Sequence, residues 1–243
     1  MTNNKLIWIA GALLINGSVH AADNDAEGKG TVWSGKGQLG FSMASGNSDS
    51  DNLNGSVELK IESEKWVNQS KLEAQYASSD GETTTDRFVF SGKTGYKWRD
   101  ADHFFYASRY ENDDFSGYDY TMSASVGWGH KFFESDKSKL LTELALGYKV
   151  QAVDADRSEV SGAILVGKMD YMRQLTETTK FEDVLLIESG SDNTYIQNDM
   201  GVALKVNEAF AVKLNYQYRH NTDVPAGKEK TDELISANLV YDF

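Results

Sequence analysis

The chain has 243 residues with no cysteine and one proline, a formal charge of −13 and a mean hydropathy of −0.50. No disulfide can hold such a chain, and its acidity argues against a nucleic-acid partner, because phosphate binding requires a basic face. So low a hydropathy excludes a helical membrane protein but not a β-barrel, in which half of each strand is polar and faces the lumen.

At the start of the chain, Lys5 precedes an apolar run over residues 6–15, and Val19-His20-Ala21 follows with small side chains at the positions a signal peptidase reads. This predicts a secretory signal peptide over 1–21, cleaved between Ala21 and Ala22. The run falls short of the ~20 residues that a membrane-spanning helix needs. Residues 22–31 are polar and read as a flexible periplasmic lead-in, and 32–243 as one outer-membrane barrel.

From Val32 onward the apolar period is two, the period of a strand with unlike faces. Leu39, Phe41 and Met43 share a face, then Leu53, Val57, Leu59 and Ile61, then Leu72, Ala74 and Tyr76. Phe88, Phe90, Tyr96 and Trp98 follow, then Phe104, Tyr106 and Tyr110. Tyr118, Tyr120, Met122, Ala124, Val126 and Trp128 form one uninterrupted stripe, and Leu140, Leu144, Leu146, Tyr148 and Val150 the next. Over 160–171 the pattern favours Ala163, Leu165, Met169 and Tyr171 outward, with Lys168 and Asp170 inward. Alternation fails at Val184-Leu185-Leu186-Ile187, which reads as an apolar lumen patch or a bulge. It returns at Ile196 to Val206, at Phe210 to Tyr218, and at Ile235 to Phe243.

About twelve such segments, each near the ~9–11 residues of a tilted membrane strand, predict an all-β, transmembrane, antiparallel up-and-down barrel. Tight turns are expected at 63–65, 99–102 and 207–208, and longer loops at 45–51, 79–82 and 221–230. Short turns on one side and longer loops on the other fit a Gram-negative outer membrane with the short ones periplasmic. The near-absence of proline suits continuous ladders. A soluble barrel also alternates, but buries its apolar face and rarely places rings at both strand ends, as Tyr118 with Trp128 and Phe210 with Tyr218 do here. The final Tyr241-Asp242-Phe243 resembles the signal by which outer-membrane barrels are recognised for insertion.

Several stretches are similar to the YdiY-like family of salt-induced outer-membrane proteins, which is built around a domain of unknown function. They are residues 33–37 (Trp-Ser-Gly-Lys-Gly), 39–41, 45–48 (Ser-Gly-Asn-Ser) and 52–55, then 192–195, 220–227, 230–232 and 239–241. The resemblance spans essentially the whole mature chain, with residues 152–158 matching less clearly. It implies an outer-membrane barrel linked to salt and supplies no catalytic residues.

The face opposite the apolar stripes carries the candidate lumen chemistry. Its pore-lining candidates are Glu58, Lys60, Lys71, Glu73, Arg87, Lys93, Lys97, Arg109, Glu143, Lys149, Lys205, Lys213 and Arg219. Mixed charge of this kind forms either a hydrated conduit with field-based selectivity or interlocked ion pairs that close the lumen. Twelve strands lie between the eight that side chains fill and the sixteen that leave an open channel. Three functions compete: a narrow porin-like channel for small solutes or ions, a barrel enzyme acting on lipids, and a structural or cation-responsive surface protein. The enzyme would need His220 as base, with Thr194 or Ser236 near it. The third reading rests on Asp49, Asp51, Asp80, Glu82, Asp86, Asp113, Asp114, Asp154, Asp156, Asp192 and Asp223, which crowd the expected external loops. Clustered oxygens suit divalent cations or lipopolysaccharide bridged by them, but no stretch has the spacing of a calcium loop. The expectation is a non-enzymatic monomer without cofactor or resident metal. Its partners are outer-membrane lipid, lipopolysaccharide and the barrel-assembly machinery.

Overall fold

The computed structural model describes residues 30–44, 50–153 and 158–243, so the predicted leader and most of the lead-in lie outside the described residues. Twelve strands follow one another: β1 (Val32–Ala44), β2 (Ser50–Glu62), β3 (Trp66–Ser79), β4 (Glu82–Lys97), β5 (Asp102–Asp113) and β6 (Tyr118–Ser135). The series continues with β7 (Ser138–Val153), β8 (Glu159–Gln174), β9 (Thr179–Ser189), β10 (Thr194–Lys205), β11 (Phe210–Asn221) and β12 (Thr231–Asp242). Each pairs antiparallel with the next, and β12 returns to β1 to close an up-and-down barrel. Below, the end carrying the start of β1 and the end of β12 is the terminal end, and the other the loop end.

The barrel is inside-out. Leu146 is 69% exposed and Ile235 79%, whereas Arg87 is 2% exposed and Glu143 and Lys149 7% each. A water-soluble barrel would show the reverse order, because burying a charge costs far more than burying a methyl group. Only hydrocarbon outside makes this arrangement favourable, and strand pairing around the barrel gives most of the backbone its partners without water. Outward rings gather at the terminal end: Trp66 packs edge-on to Tyr96 at 5.1 Å, Trp98 stacks on Phe104 at 5.8 Å, and Phe210 meets Tyr241 at 5.0 Å. Such a belt suits a membrane–water interface, where a ring's apolar body and polar tip are both satisfied.

The two ends of the barrel domain meet at that belt. Gly35 and Phe243 exchange backbone hydrogen bonds of 2.7 and 2.9 Å. The Phe243 ring lies where a side chain on residue 35 would be, with its carbons 2.2–2.9 Å from an ideal Cβ. Glycine at 35 therefore seats the ring, which also stacks on Tyr241 at 5.6 Å.

Three expectations need correction or completion. Register through β9 runs without a shift on either side, so the four apolar residues are no bulge. Val184 and Leu186 face the lumen and Leu185 and Ile187 face out. Second, the stripe from Tyr118 to Trp128 is interrupted. The ladders shift between Tyr118 and Tyr120, and a bulge's extra residue reverses the facing of what precedes it. Tyr118 pairs with inward Asp113 and lines a lumen cavity. Third, Ser79 pairs directly with Glu82, so 79–82 is a two-residue hairpin rather than a longer loop. Asp80 and Gly81 take positive φ (50° and 81°), the conformation that Asp-Gly favours in such turns. The contrast between short turns and long loops is consequently weak, residues 222–230 being the long connection among those described.

Candidate functional site

Alternation and register put all thirteen candidate side chains on the inner face, where they belong to two groups. In the loop half, Glu111 is shared by Arg87 and Arg109, and Asp113 lies 3.9 Å from Arg87 and 3.5 Å from Arg219. Arg219 also approaches Asp232 at 3.5 Å. Arg109 donates to the Tyr195 hydroxyl at 3.4 Å, Tyr195 donates to Gln197 at 2.7 Å, and Gln197 donates to Asp199 at 2.7 Å. Gln75 donates to Gln217 at 2.9 Å, and Gln217 to Asp199 at 2.6 Å. Lys71 pairs with Glu73 at 3.0 Å, and Lys149 lies 4.0 Å from Glu188.

Several of these contacts cross the lumen. β5 and β11 are six strands apart in either direction, yet Arg219 reaches Asp113. Twelve strands ~4.8 Å apart and tilted ~40° would enclose a round wall about 24 Å across. An extended arginine and an aspartate bring two walls to about 14 Å, by ordinary covalent geometry. The loop half is therefore flattened, and the charged lattice spans its short axis.

In the terminal half, Glu143 accepts from Lys93 at 2.6 Å and contacts His103 at 3.0 Å. His103 lies over Gly129, where a Cβ would be 2.1 Å from the imidazole. Glu62 accepts from Lys60 and from Lys97, the latter at 2.9 Å. Glu182 collects three lysines: Lys180 and Lys213 at 2.8 Å and Lys36 at 3.3 Å. Glu58 sits between Lys36 and Lys71 in the register. Lys205 lines a cavity of about 200 Å³ at this mouth, with Lys36, Lys180, Lys213 and Glu182. A second cavity of about 50 Å³, lined by Arg109, Tyr118, Tyr195 and Arg219, lies in the loop half and shares no lining residue with the first.

Charge is not spread evenly around the wall. At mid-height, between the Lys36–Lys213–Glu182 group below and the Arg219–Asp232 pair above, β11, β12, β1 and β2 present amides and hydroxyls instead: Asn215, Gln217, Ser236, Asn238, Gln38 and Asn54. Asn54 donates to Asn238 at 2.6 Å across Gly40, and Asn238 donates to Ser236 at 3.0 Å.

Lys36, Glu62, His103, Glu111, Asp113, Glu182, Glu188, Tyr195 and Asp199 are among the residues of these networks that lie outside the predicted set. Lys36 shares the parity of Gln38, a signal that could have found it. Glu182 and Glu188 flank the apolar run that hides the phase of β9. Asp113 reads as a loop residue in the sequence, but it ends β5 on the lumen side and is buried. Of the other acidic loop residues, Asp49, Asp154 and Asp156 lie outside the described residues. Among the described residues, no three His, Asp or Glu side chains gather as a metal site. His220 faces outward, 2.8 Å from the Thr231 hydroxyl and stacked on Tyr218, while Ser236 is on the inner face. These two do not form a catalytic pair.

Comparison with known proteins accords with this architecture. The uncharacterized protein YdiY of Escherichia coli (strain K12) is 23% identical over 175 residues, covering 69% of this chain and 66% of YdiY. The match thus spans just under two thirds of that relative's length. Among solved structures, the COG4313 outer membrane channel from Pseudomonas putida F1 superposes with a TM-score of 0.54 at 10% identity, over 93% of this chain and 100% of that one. The NanC porin gives 0.48 at 9% identity, over 87% and 98%. The fold is that of an outer-membrane barrel. The family described as "Protein of unknown function, DUF481" matches residues 37–243, and the chain belongs to it.

Proposed function

We propose that the protein is an integral outer-membrane channel for small ions or solutes, without catalytic activity. Its lumen rests closed behind the arginine–carboxylate lattice of the loop half. The observation that carries this reading is an inner face charged toward both mouths, which, among the described residues, is crossed by side-chain contacts. The terminal end would face the periplasm and the loop end the exterior, as in other barrels of this type. Outer-membrane lipid and lipopolysaccharide would surround the wall, and Tyr241 and Phe243 would present the insertion signal to the assembly machinery. Paired charges in a water-filled lumen weaken as ionic strength rises, since the Debye length falls from ~10 Å at 0.1 M to ~3 Å at 1 M. That offers a physical link between the family's salt association and opening.

Purified mature protein in planar bilayers tests the proposal. Discrete openings whose probability rises with salt or voltage, and rises further in Glu111→Gln, are expected. A second reading, a structural barrel with a permanently closed lumen, draws on the same cross-lumen bonds. Silence of both wild type and Glu111→Gln across voltages would select it.

A further inference from the structure

One junction of the barrel stops short. Among the described residues, β1 and β12 pair over five positions, from Lys36 with Asp242 to Gly40 with Asn238. The other junctions pair ten or more, as β8 and β9 do from Leu165 to Gln174. Beyond Gly40, β1 continues to Ala44 paired with β2 alone, and β12 runs back to Thr231 paired with β11 alone. Among the described residues, 41–44 and the facing 234–237 are thereby left without a ladder between them, in the loop half of the wall. Open sheet edges do not persist in hydrocarbon, where each N–H and C=O must find a partner.

What lies on either side of this slit indicates what could supply those partners. Outside, Phe41 and Ile235 flank it, 59% and 79% exposed. Inside, the wall at its closed end is lined by amides, with the mutually paired Arg219 and Asp232 farther toward the loop end. The Asn54–Asn238 hydrogen bond closes over Gly40 at the last paired position, since any side chain there would collide with both amides. Each amide offers two donors and an acceptor, a match for hydroxyl groups that needs no compensating charge. The cations that flank these amides are already held by carboxylates, Lys36 and Lys213 by Glu182 below and Arg219 by Asp113 and Asp232 above, so a phosphate head group would have to displace them.

We propose that the loop half of the β1–β12 seam is a lateral opening that admits an amphiphile with an uncharged, hydroxyl-rich head group. The head lies against Asn54, Asn238 and Asn215, and the chain stays in the bilayer between Phe41 and Ile235. The proposal rests on residence in the outer membrane and not on conduction, so a channel silent in bilayers leaves it standing.

The cysteine-free chain permits a direct test. In vesicles, Leu39→Cys with Leu239→Cys, a paired position, should oxidise to a disulfide. Phe41→Cys with Ala237→Cys, the next pair if the register continued, should not, because a disulfide needs Cα atoms within ~7 Å. Equal oxidation of both pairs would show a closed seam and overturn the proposal. Native mass spectrometry of the mature protein from oligo-oxyethylene micelles should then retain one dodecyl maltoside per chain. Maltose alone should not be retained, and Asn54→Leu should weaken retention about tenfold, the equivalent of ~1.4 kcal/mol. If Asn54→Leu does not fold, Asn215→Leu serves in its place. No adduct, equal binding of tailless maltose, or a dimer joined at this seam would each refute the assignment.

Discussion

Replacing Glu111 by glutamine keeps the side chain's shape and removes the carboxylate that Arg87 and Arg109 share. Arg87 would then depend on Asp113, 3.9 Å away and already engaged by Arg219, and Arg109 on the neutral Tyr195 hydroxyl at 3.4 Å. Removing one partner of a buried pair costs about 3–5 kcal/mol, because the other charge stays buried without compensation. The Glu111 side chain is 13% exposed in a lumen with a cavity beside it, so the lower end, about 3 kcal/mol, is expected. Arg87→Met should cost less, about 1–2 kcal/mol, since Glu111 keeps Arg109. Equilibrium urea unfolding in lipid vesicles reads both changes. With a slope near ~2–3 kcal/mol per M, Glu111→Gln should lower the midpoint by about 1 M or more. A shift below ~0.5 kcal/mol, or a larger loss from Arg87→Met, would mean that water satisfies these arginines and that the lattice does not brace the barrel.

Other perturbations probe separate parts of the design. Gly35→Val should expel the Phe243 ring from its seat and slow closure, seen as a smaller heat-modifiable folded fraction after refolding and a loss of about 1–3 kcal/mol. Gly129→Val should displace His103 from Glu143 and cost a similar ~1–3 kcal/mol, without affecting insertion measured by protease protection. Leu146→Arg places a charge on the outer wall, and should cost about 2–4 kcal/mol in vesicles if that face meets mid-bilayer hydrocarbon. Unchanged stability there would contradict the inside-out assignment.

Much of the barrel is legible in the sequence because one face of each strand is uniformly apolar, as on β7, where Leu144, Leu146 and Tyr148 alternate with Glu143, Gly147 and Lys149. Legibility fails where both faces are apolar or where an extra residue shifts the phase. On β9 the inward Val184 and Leu186 look like their outward neighbours, which hides Glu182 and Glu188. At Tyr118 the bulge reverses the facing while leaving the residue pattern intact. Asp113 shows a different limit: alternation names the face, but cannot tell the last residue of a strand from the first of a loop. The pairings themselves were beyond reach. Arg219 meets Asp113 only because the wall is flattened, and strand parity contains nothing about cross-sectional shape.

The alternation that turns the barrel inside-out also governs the chain before it folds. Because polar residues interleave with apolar ones along most of every strand, the barrel sequence offers few long greasy stretches, and the mean hydropathy of the whole chain stays at −0.50. A translocation pore that holds back long oily segments would find little in residues 32–243 to retain. The polypeptide destined for lipid thus travels as a water-tolerant thread, and becomes greasy only once neighbouring strands align their odd and even positions.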